Sequence, residues 1–95
     1  MEKAFLELAE RWRRDTRTLS STDEIARHPA YQEIIGMGKD AVPFLLRELE
    51  RSSGRWFWAL KSIVREDPVP PEKRGKTKEM VNCWLEWGRR NGYRW

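Results

Sequence analysis

The stretch MGKDAVPFLLRELERSSGRWFWALKSIV, residues 37–64, carries the clearest periodic pattern in the chain. Apolar residues recur at spacings of three and four on both sides of a Ser-Ser-Gly break, which predicts two helices joined by a short connection. The first helix is expected to bury Ala41, Val42, Leu45, Leu46 and Leu49. The second, from about Arg55 to Arg65, is expected to bury Trp56, Phe57, Ala59, Leu60, Ile63 and Val64.

Helical patterns also precede this central stretch. Apolar residues spaced by three and four over residues 2–16 form one stripe of a first helix. A capping box at Ser21–Glu24 predicts the start of a short second helix. His28-Pro29 ends that helix, because the residue before a proline avoids helical geometry and proline suits the first turn of a new helix. We expect the new helix to reach about Met37, with His28 as its cap.

The residues after the central stretch predict a loop and one more helix. Three of the four residues 68–71 are proline, so residues 67–76 are expected to form an exposed, basic, proline-rich loop. Thr77 is a candidate cap for a helix that reaches about Arg90. Asn91-Gly92 ends this helix and leaves a short aromatic tail. The apolar side of the helix collects Met80, Val81, Trp84, Leu85 and Trp87.

No segment shows the alternation of β-branched or aromatic residues with polar ones that strands require. The chain is 95 residues long, which suits a single domain over residues 1–95. The expected fold is therefore all-α, a small array of about five antiparallel helices.

Part of this array resembles a HEAT-type (armadillo-type) helical repeat over about residues 37–66. The residues that fit the first helix of such a repeat are Gly38, Ala41, Val42, Pro43, Leu45, Leu46 and Leu49. Ala59-Leu60, with Ile63 three residues further on, is similar to the second helix. The resemblance implies a helical hairpin that stacks on its neighbours and presents a surface to proteins or nucleic acid. A solenoid needs about three repeats, so the outer helices would act as caps here.

The net charge of +4 is unevenly distributed. Residues 1–50 hold 8 Lys/Arg and 10 Asp/Glu, a net charge of −2, whereas residues 51–95 hold 11 and 5, a net charge of +6. A basic half attracts phosphates or acidic protein surfaces, and that attraction weakens with salt. The alternative is an ordinary solvated face.

The cysteine content and the hydropathy of the chain indicate where in the cell we expect the protein to be. Cys83 is the single cysteine, so an intramolecular disulfide and a cysteine-based zinc cluster are excluded. The first residues alternate charged and apolar types, unlike a secretory signal, and no run approaches the roughly 20 apolar residues that span a bilayer. We therefore expect a cytoplasmic protein with no membrane partner.

Three features invite a chemical interpretation. Gly75-Lys76-Thr77 lacks the first glycine of a phosphate-binding loop, because a proline stands at the position where that glycine is required. His28 has no nucleophile elbow or oxyanion loop near it, and Cys83 has no histidine partner in its neighbourhood. The prediction is a non-enzymatic chain with no catalytic, cofactor-binding or metal-binding residue.

Two aromatic residues lie off the apolar faces of their helices. Trp58 falls among cations on its helical wheel, and Phe44 lies beside Arg47 and Arg51. Either another helix or the Tyr93–Trp95 tail covers these rings, or they are exposed anchors in a basic surround. The candidate partner-binding residues are Phe44, Arg55, Trp58, Lys61, Arg65, Lys73, Arg74, Lys76, Arg89, Arg90, Arg94 and Trp95.

These features favour two hypotheses about function. The first is a protein-binding adaptor, or an accessory or neutralising partner of a small bacterial protein, that binds through a basic, Trp-rich surface. The second is a helical nucleic-acid-binding domain that uses the basic C-terminal half. The acidic first half and the lack of a helix-turn-helix with a polar recognition helix speak against the second. A homodimer that buries surplus apolar surface would imitate a binding site.

Overall fold

The computed structural model describes residues 2–16, 22–52 and 56–95. Six α-helices and no β-strand form within these residues, which confirms the all-α prediction. The helices are α1 (Glu2–Asp15), α2 (Thr22–Arg27), α3 (Pro29–Gly36), α4 (Val42–Ser52), α5 (Phe57–Val64) and α6 (Thr77–Arg90). Short 3₁₀ turns lie at Gly38–Ala41 and Pro71–Lys73.

Side chains from α3 and its flank close the N-termini of two helices. Nδ1 of His28 accepts a hydrogen bond from the Ala30 amide at 3.0 Å, which confirms His28 as the cap of α3. The hydroxyl of Tyr31 accepts a hydrogen bond from the Ala59 amide, in the first turn of α5, at 2.9 Å. The N-cap residue of α5, Trp56, forms no side-chain cap, so a residue distant in sequence supplies one.

The two other predictions about helix starts concern the caps of α6 and α2. The Thr77 prediction is wrong, because Thr77 is the first residue of α6 and the N-cap position is Lys76, which has no side-chain hydrogen bond to the helix. The capping box at Ser21–Glu24 lies outside the residues whose side chains are described.

The first aromatic cluster consists of Phe5, Trp12, Tyr31 and Trp56, and it joins α1, α3 and the start of α5. The Trp56 ring lies 4.6 Å from Trp12 and 5.3 Å from Tyr31, centroid to centroid, and is stacked on Tyr31. All four rings are buried. Large buried rings at these spacings contribute more than their apolar area alone. This cluster is therefore the centre of the core.

Helix α4 forms the second part of the core. Its five predicted core residues, which include Leu45, Leu46 and Leu49, are all buried, as the periodicity predicted. Its most extensive helix contact is with α6, and that of α5 is with α3. The two helices that the HEAT resemblance pairs thus each pack mainly on another helix. The resemblance itself stays a prediction.

A buried valine anchors the proline-rich segment between α5 and α6 to the core. Val69 is buried, although the sequence predicts an exposed loop. The Val69 amide donates to Oδ1 of Asp67 at 3.1 Å, which fixes the turn that points its side chain inward. None of the described helices has the length and apolar character needed to cross a bilayer.

Candidate functional site

Trp58 is the most exposed large apolar side chain of the described residues. Its exposed fraction is 52%, and the other large apolar side chain left open in the same residues is Leu6 of α1, at 42%. Trp58 lies on α5 next to Ala59 and Leu60, both fully buried, so the helix turns its neighbours inward and this ring outward. The sequence leaves open whether the Trp58 ring is covered or exposed, and in the structure it is exposed.

Charged groups from α5 and the following loop meet beside Trp58. Lys61 lies one helical turn after it, and Nζ of Lys61 is 3.6 Å from Oδ2 of Asp67. Nη2 of Arg74 donates to the same Oδ2 at 3.2 Å. The three side chains tie the loop to α5, and a carboxylate lies between two of the predicted binding cations.

The remaining predicted cations are not one continuous patch. Nζ of Lys76 lies 3.8 Å from Oε2 of Glu79. Lys73 is half-buried, whereas Arg65, Arg90 and Arg94 are exposed and form no ion pair with any residue in the described ranges. Arg65 ends α5 with φ of 58°, in the left-handed region. Arg55 lies outside the described residues.

Phe44 follows the other of the two alternatives left open by the sequence, a ring partly covered by another helix. The Phe44 ring is half-buried, with its centroid 5.4 Å from that of Phe5 in α1. The guanidinium of Arg47 lies 5.5 Å from the Phe44 centroid, and Nη2 of Arg47 donates to Oε2 of Glu2 at 2.7 Å. Helix α1 therefore covers the side of α4 that the helical wheel leaves open.

The aromatic tail lies on α6 and α4 and does not cover Trp58 or Phe44. The amide of Tyr93 donates to the carbonyl of Gly88 at 2.9 Å, and the Tyr93 ring stacks on Trp87 at 5.5 Å. Trp95 is half-buried against Gly88, and the guanidinium of Arg89 lies 5.7 Å from its ring centroid. The predicted residues Arg89, Arg94 and Trp95 thus come together, around a cavity of about 320 Å³.

A groove between α4 and α6 was not predicted from the sequence. It has a volume of about 540 Å³, and Leu49 and Leu85 form part of its wall. Glu50 borders both this groove and the cavity at the tail. The four-residue spacing of Thr77, Val81 and Leu85 was available as an indication, but it does not say which helix lies opposite.

The chemically versatile side chains have structural roles. Nε2 of His28 lies 2.9 Å from Oδ2 of Asp15. Cys83 is half-buried and packs against the core. Burial raises the pKa of Tyr31, and the hydrogen bond from the Ala59 amide opposes that shift. Within the described ranges, no three His, Cys, Asp or Glu residues cluster in a way that would hold a metal ion.

Comparison with known proteins adds no family assignment. No protein-family model matches the chain, and neither a curated protein nor a solved structure does. The function must therefore be inferred from the residues themselves and from their geometry.

Proposed function

We propose that this chain is a non-enzymatic, protein-binding adaptor, an accessory or neutralising partner of another bacterial cytoplasmic protein. The observation that carries the proposal is the exposed Trp58 ring on α5, with Lys61 one turn away. Tryptophan and arginine are enriched among the residues that dominate protein interfaces. A partner that covers the exposed part of this rigid ring would remove its apolar area from water, which favours binding by roughly 25 cal/mol per Å².

The charge of the C-terminal half indicates the character of the partner. Residues 51–95 carry a net charge of +6, so an acidic protein surface would be attracted over distances of about 10 Å at moderate salt. The partner that fits best offers an apolar pocket for Trp58 inside an acidic rim. Such a rim mainly accelerates association, and the buried ring supplies most of the affinity.

The ion pairs favour a protein over a nucleic acid at this surface. Lys61 and Arg74 already contact Asp67, and Lys76 contacts Glu79. Phosphate-driven binding depends on neutralising free cations, and these three are already paired, whereas a protein also gains affinity by burying the Trp58 ring. The nucleic-acid alternative has one observation in its favour, the Trp95 ring with Arg89 above it, because a base stacks on such a ring and a phosphate pairs with such a cation.

Affinity capture with matched variants tests the protein-binding function. The immobilised wild-type chain, Trp58→Ala and Leu6→Ala are exposed to lysate of the source organism, and circular dichroism establishes that all three are folded. We expect one protein to be retained by wild type and by Leu6→Ala, and to rebind after purification. Trp58→Ala should weaken that binding at least about thirtyfold, the effect of losing a central interface residue. Equal retention by Trp58→Ala would contradict the proposal.

Salt dependence tests the nucleic-acid alternative. Fluorescence anisotropy of labelled single-stranded and duplex oligonucleotides is measured between about 50 and 200 mM salt. We expect at most weak binding that disappears across this range. Strong binding near physiological salt that Arg89→Ala and Trp95→Ala both reduce would establish the alternative and overturn the protein-binding function.

A further inference from the structure

One ridge of α6 runs along the groove between α4 and α6. Thr77, Val81, Leu85 and Arg89 recur every fourth residue, so they form one ridge of α6. The first three border the groove, and Arg89 borders the adjoining cavity at the tail. With a rise of about 1.5 Å per residue, this ridge is about 18 Å long, the length of a twelve-residue helix.

The floor of the groove is apolar. Leu49 of α4 and Leu85 of α6 are buried against each other's helices, and Val81 beside them is only half-buried. An apolar side chain placed over Val81 would remove further apolar surface from water, at roughly 25 cal/mol per Å². Among the described residues, no aromatic ring lines this part of the groove, so these residues offer a base nothing to stack on.

The rim of the groove is basic at both ends. Arg51 and Lys78 lie at one end, and Arg89 and Arg94 line the adjoining cavity. None of these four cations forms an ion pair with a residue in the described parts of the chain, unlike the cations beside Trp58. Glu50 is the one acidic residue along the border. Carboxylates on an occupant would therefore meet free positive charge.

We infer that this groove binds an acidic amphipathic helix of the partner protein. Apolar residues at i, i+3, i+4 and i+7 of that helix would lie on Leu49, Val81 and Leu85, and its carboxylates would face Arg51 and Lys78. A helix fits better than an extended strand, because two parallel ridges offer a groove but no free backbone groups for strand pairing. The inference rests on the proposed function and names its partner's chemistry.

A peptide selection tests the inference without knowledge of the natural partner. Random peptides of about 16 residues, four to five helical turns, are displayed and selected on the wild-type chain. The double variant Arg51→Glu, Lys78→Glu is held back from the selection and serves afterwards as an independent test of where the peptides bind. Both residues are exposed, so the variant should stay folded, and circular dichroism verifies this. We expect the selected peptides to be net acidic, with apolar residues at helical spacing.

Affinity measurements on the best selected peptide complete the test. The double charge reversal should weaken binding at least about tenfold. Val81→Asp should have an equally large effect, because it places a charge on the apolar floor of the groove. Trp58→Ala should leave peptide affinity within about twofold. Selection of no peptides, of basic ones or of ones without helical spacing overturns the inference, as does displacement of the peptide by an oligonucleotide. If no such peptide binds but Trp58-dependent protein capture is observed, the inference about the groove is wrong and the proposed function stands. If capture is not observed and the peptide binds, the proposal that Trp58 binds the partner is wrong and the inference about the groove stands.

Discussion

The two aromatic clusters of this domain differ in how their polar atoms are used. In the first cluster, Nε1 of Trp12 donates to the Ile25 carbonyl at 2.9 Å, and the Tyr31 hydroxyl accepts from the Ala59 amide. The second aromatic cluster consists of Trp84, Trp87 and Tyr93, held by ring contacts at 5.4 and 5.5 Å. Nε1 of Trp84 and Nε1 of Trp87 are buried and have no hydrogen-bond partner among the described residues.

This difference has an energetic meaning. A buried donor without an acceptor is unfavourable by about 1–3 kcal/mol, whereas a satisfied one adds about 1 kcal/mol to stability. Hydrogen bonds of the first cluster therefore join α1 to α2 and α3 to α5, whereas the second cluster depends on packing. The second cluster underlies the half that carries the groove, the tail and most of the basic charge. We therefore expect the groove to lie in the less stable part of the domain and Trp58 to lie on the more stable part.

The largest expected difference in stability comes from removing the Trp56 ring at the centre of the first cluster. Trp56→Ala should lower the free energy of unfolding by about 3–5 kcal/mol, because the ring is buried against Phe5, Trp12 and Tyr31. Trp58→Ala is the matched control, the same substitution two residues away on an exposed ring, and should change stability by less than about 0.5 kcal/mol. Urea unfolding followed by circular dichroism measures both. Similar losses would show that Trp58 also belongs to the core.

The second cluster is sensitive at Gly88. A Cβ at this position would lie 2.6 Å from Cδ1 of Leu46 and 3.0 Å from the Trp95 ring. Leu46 is fully buried, so Gly88→Ala should displace Trp95 and lower stability by about 1–3 kcal/mol. The higher helix propensity of alanine should offset about 1 kcal/mol of that loss. Acrylamide quenching should show a more accessible tryptophan. The control Gly36→Ala has open space around its Cβ and should be neutral or stabilising.

Sequence patterns predict this fold wherever the determining contacts are local. The core face of α4 and the cap at His28 follow from spacing and from one His-Pro pair, and the structure has both. Whether Phe44 is covered could not be predicted, because a helical wheel treats one helix alone and Phe5 approaches from another. The Tyr31 cap on α5 joins residues 28 positions apart, which no local motif encodes.

The candidate site was less predictable than the fold for the same reason. Trp58 could be found, because its exposure follows from its own helix. The groove could not, because it depends on α4 packing on α6, and the sequence does not say which helices are neighbours. Gly88 does indicate that another segment packs on α6, since a glycine inside a helix often marks a close approach of another chain segment. The Trp95 ring makes that approach.

A pair of conservative changes sharpens the comparison of polar atoms. Trp12→Phe and Trp87→Phe remove similar ring area and one indole N–H each. The first leaves the Ile25 carbonyl without its donor, and the second removes a donor that has no partner. Trp12→Phe should therefore be more destabilising than Trp87→Phe by about 1–2 kcal/mol in urea unfolding. Equal effects would mean that hydrogen bonding does not distinguish the clusters.

The smallest expected effect is a loss of stability at alkaline pH that belongs to the first cluster. Burial raises the pKa of Tyr31 above its ordinary value of about 10, because the phenolate would be desolvated. Above about pH 10 the unfolded chain releases the tyrosine proton and the folded chain keeps it. The unfolded state then binds fewer protons, so stability is full below about pH 10 and falls by about 1 kcal/mol at pH 11.

The control for this effect is Tyr31→Phe. This variant should be less stable at neutral pH by about 1 kcal/mol, because the Ala59 amide loses its acceptor and α5 its cap. It should also lack the part of the alkaline decline that Tyr31 causes, so its urea midpoint should approach that of wild type between pH 9 and pH 11. A constant gap would show that Tyr31 ionises alike in both states. Since the hydroxyl also holds the first turn of α5, the same variant should loosen that turn, which links the first cluster to the helix that carries the exposed ring.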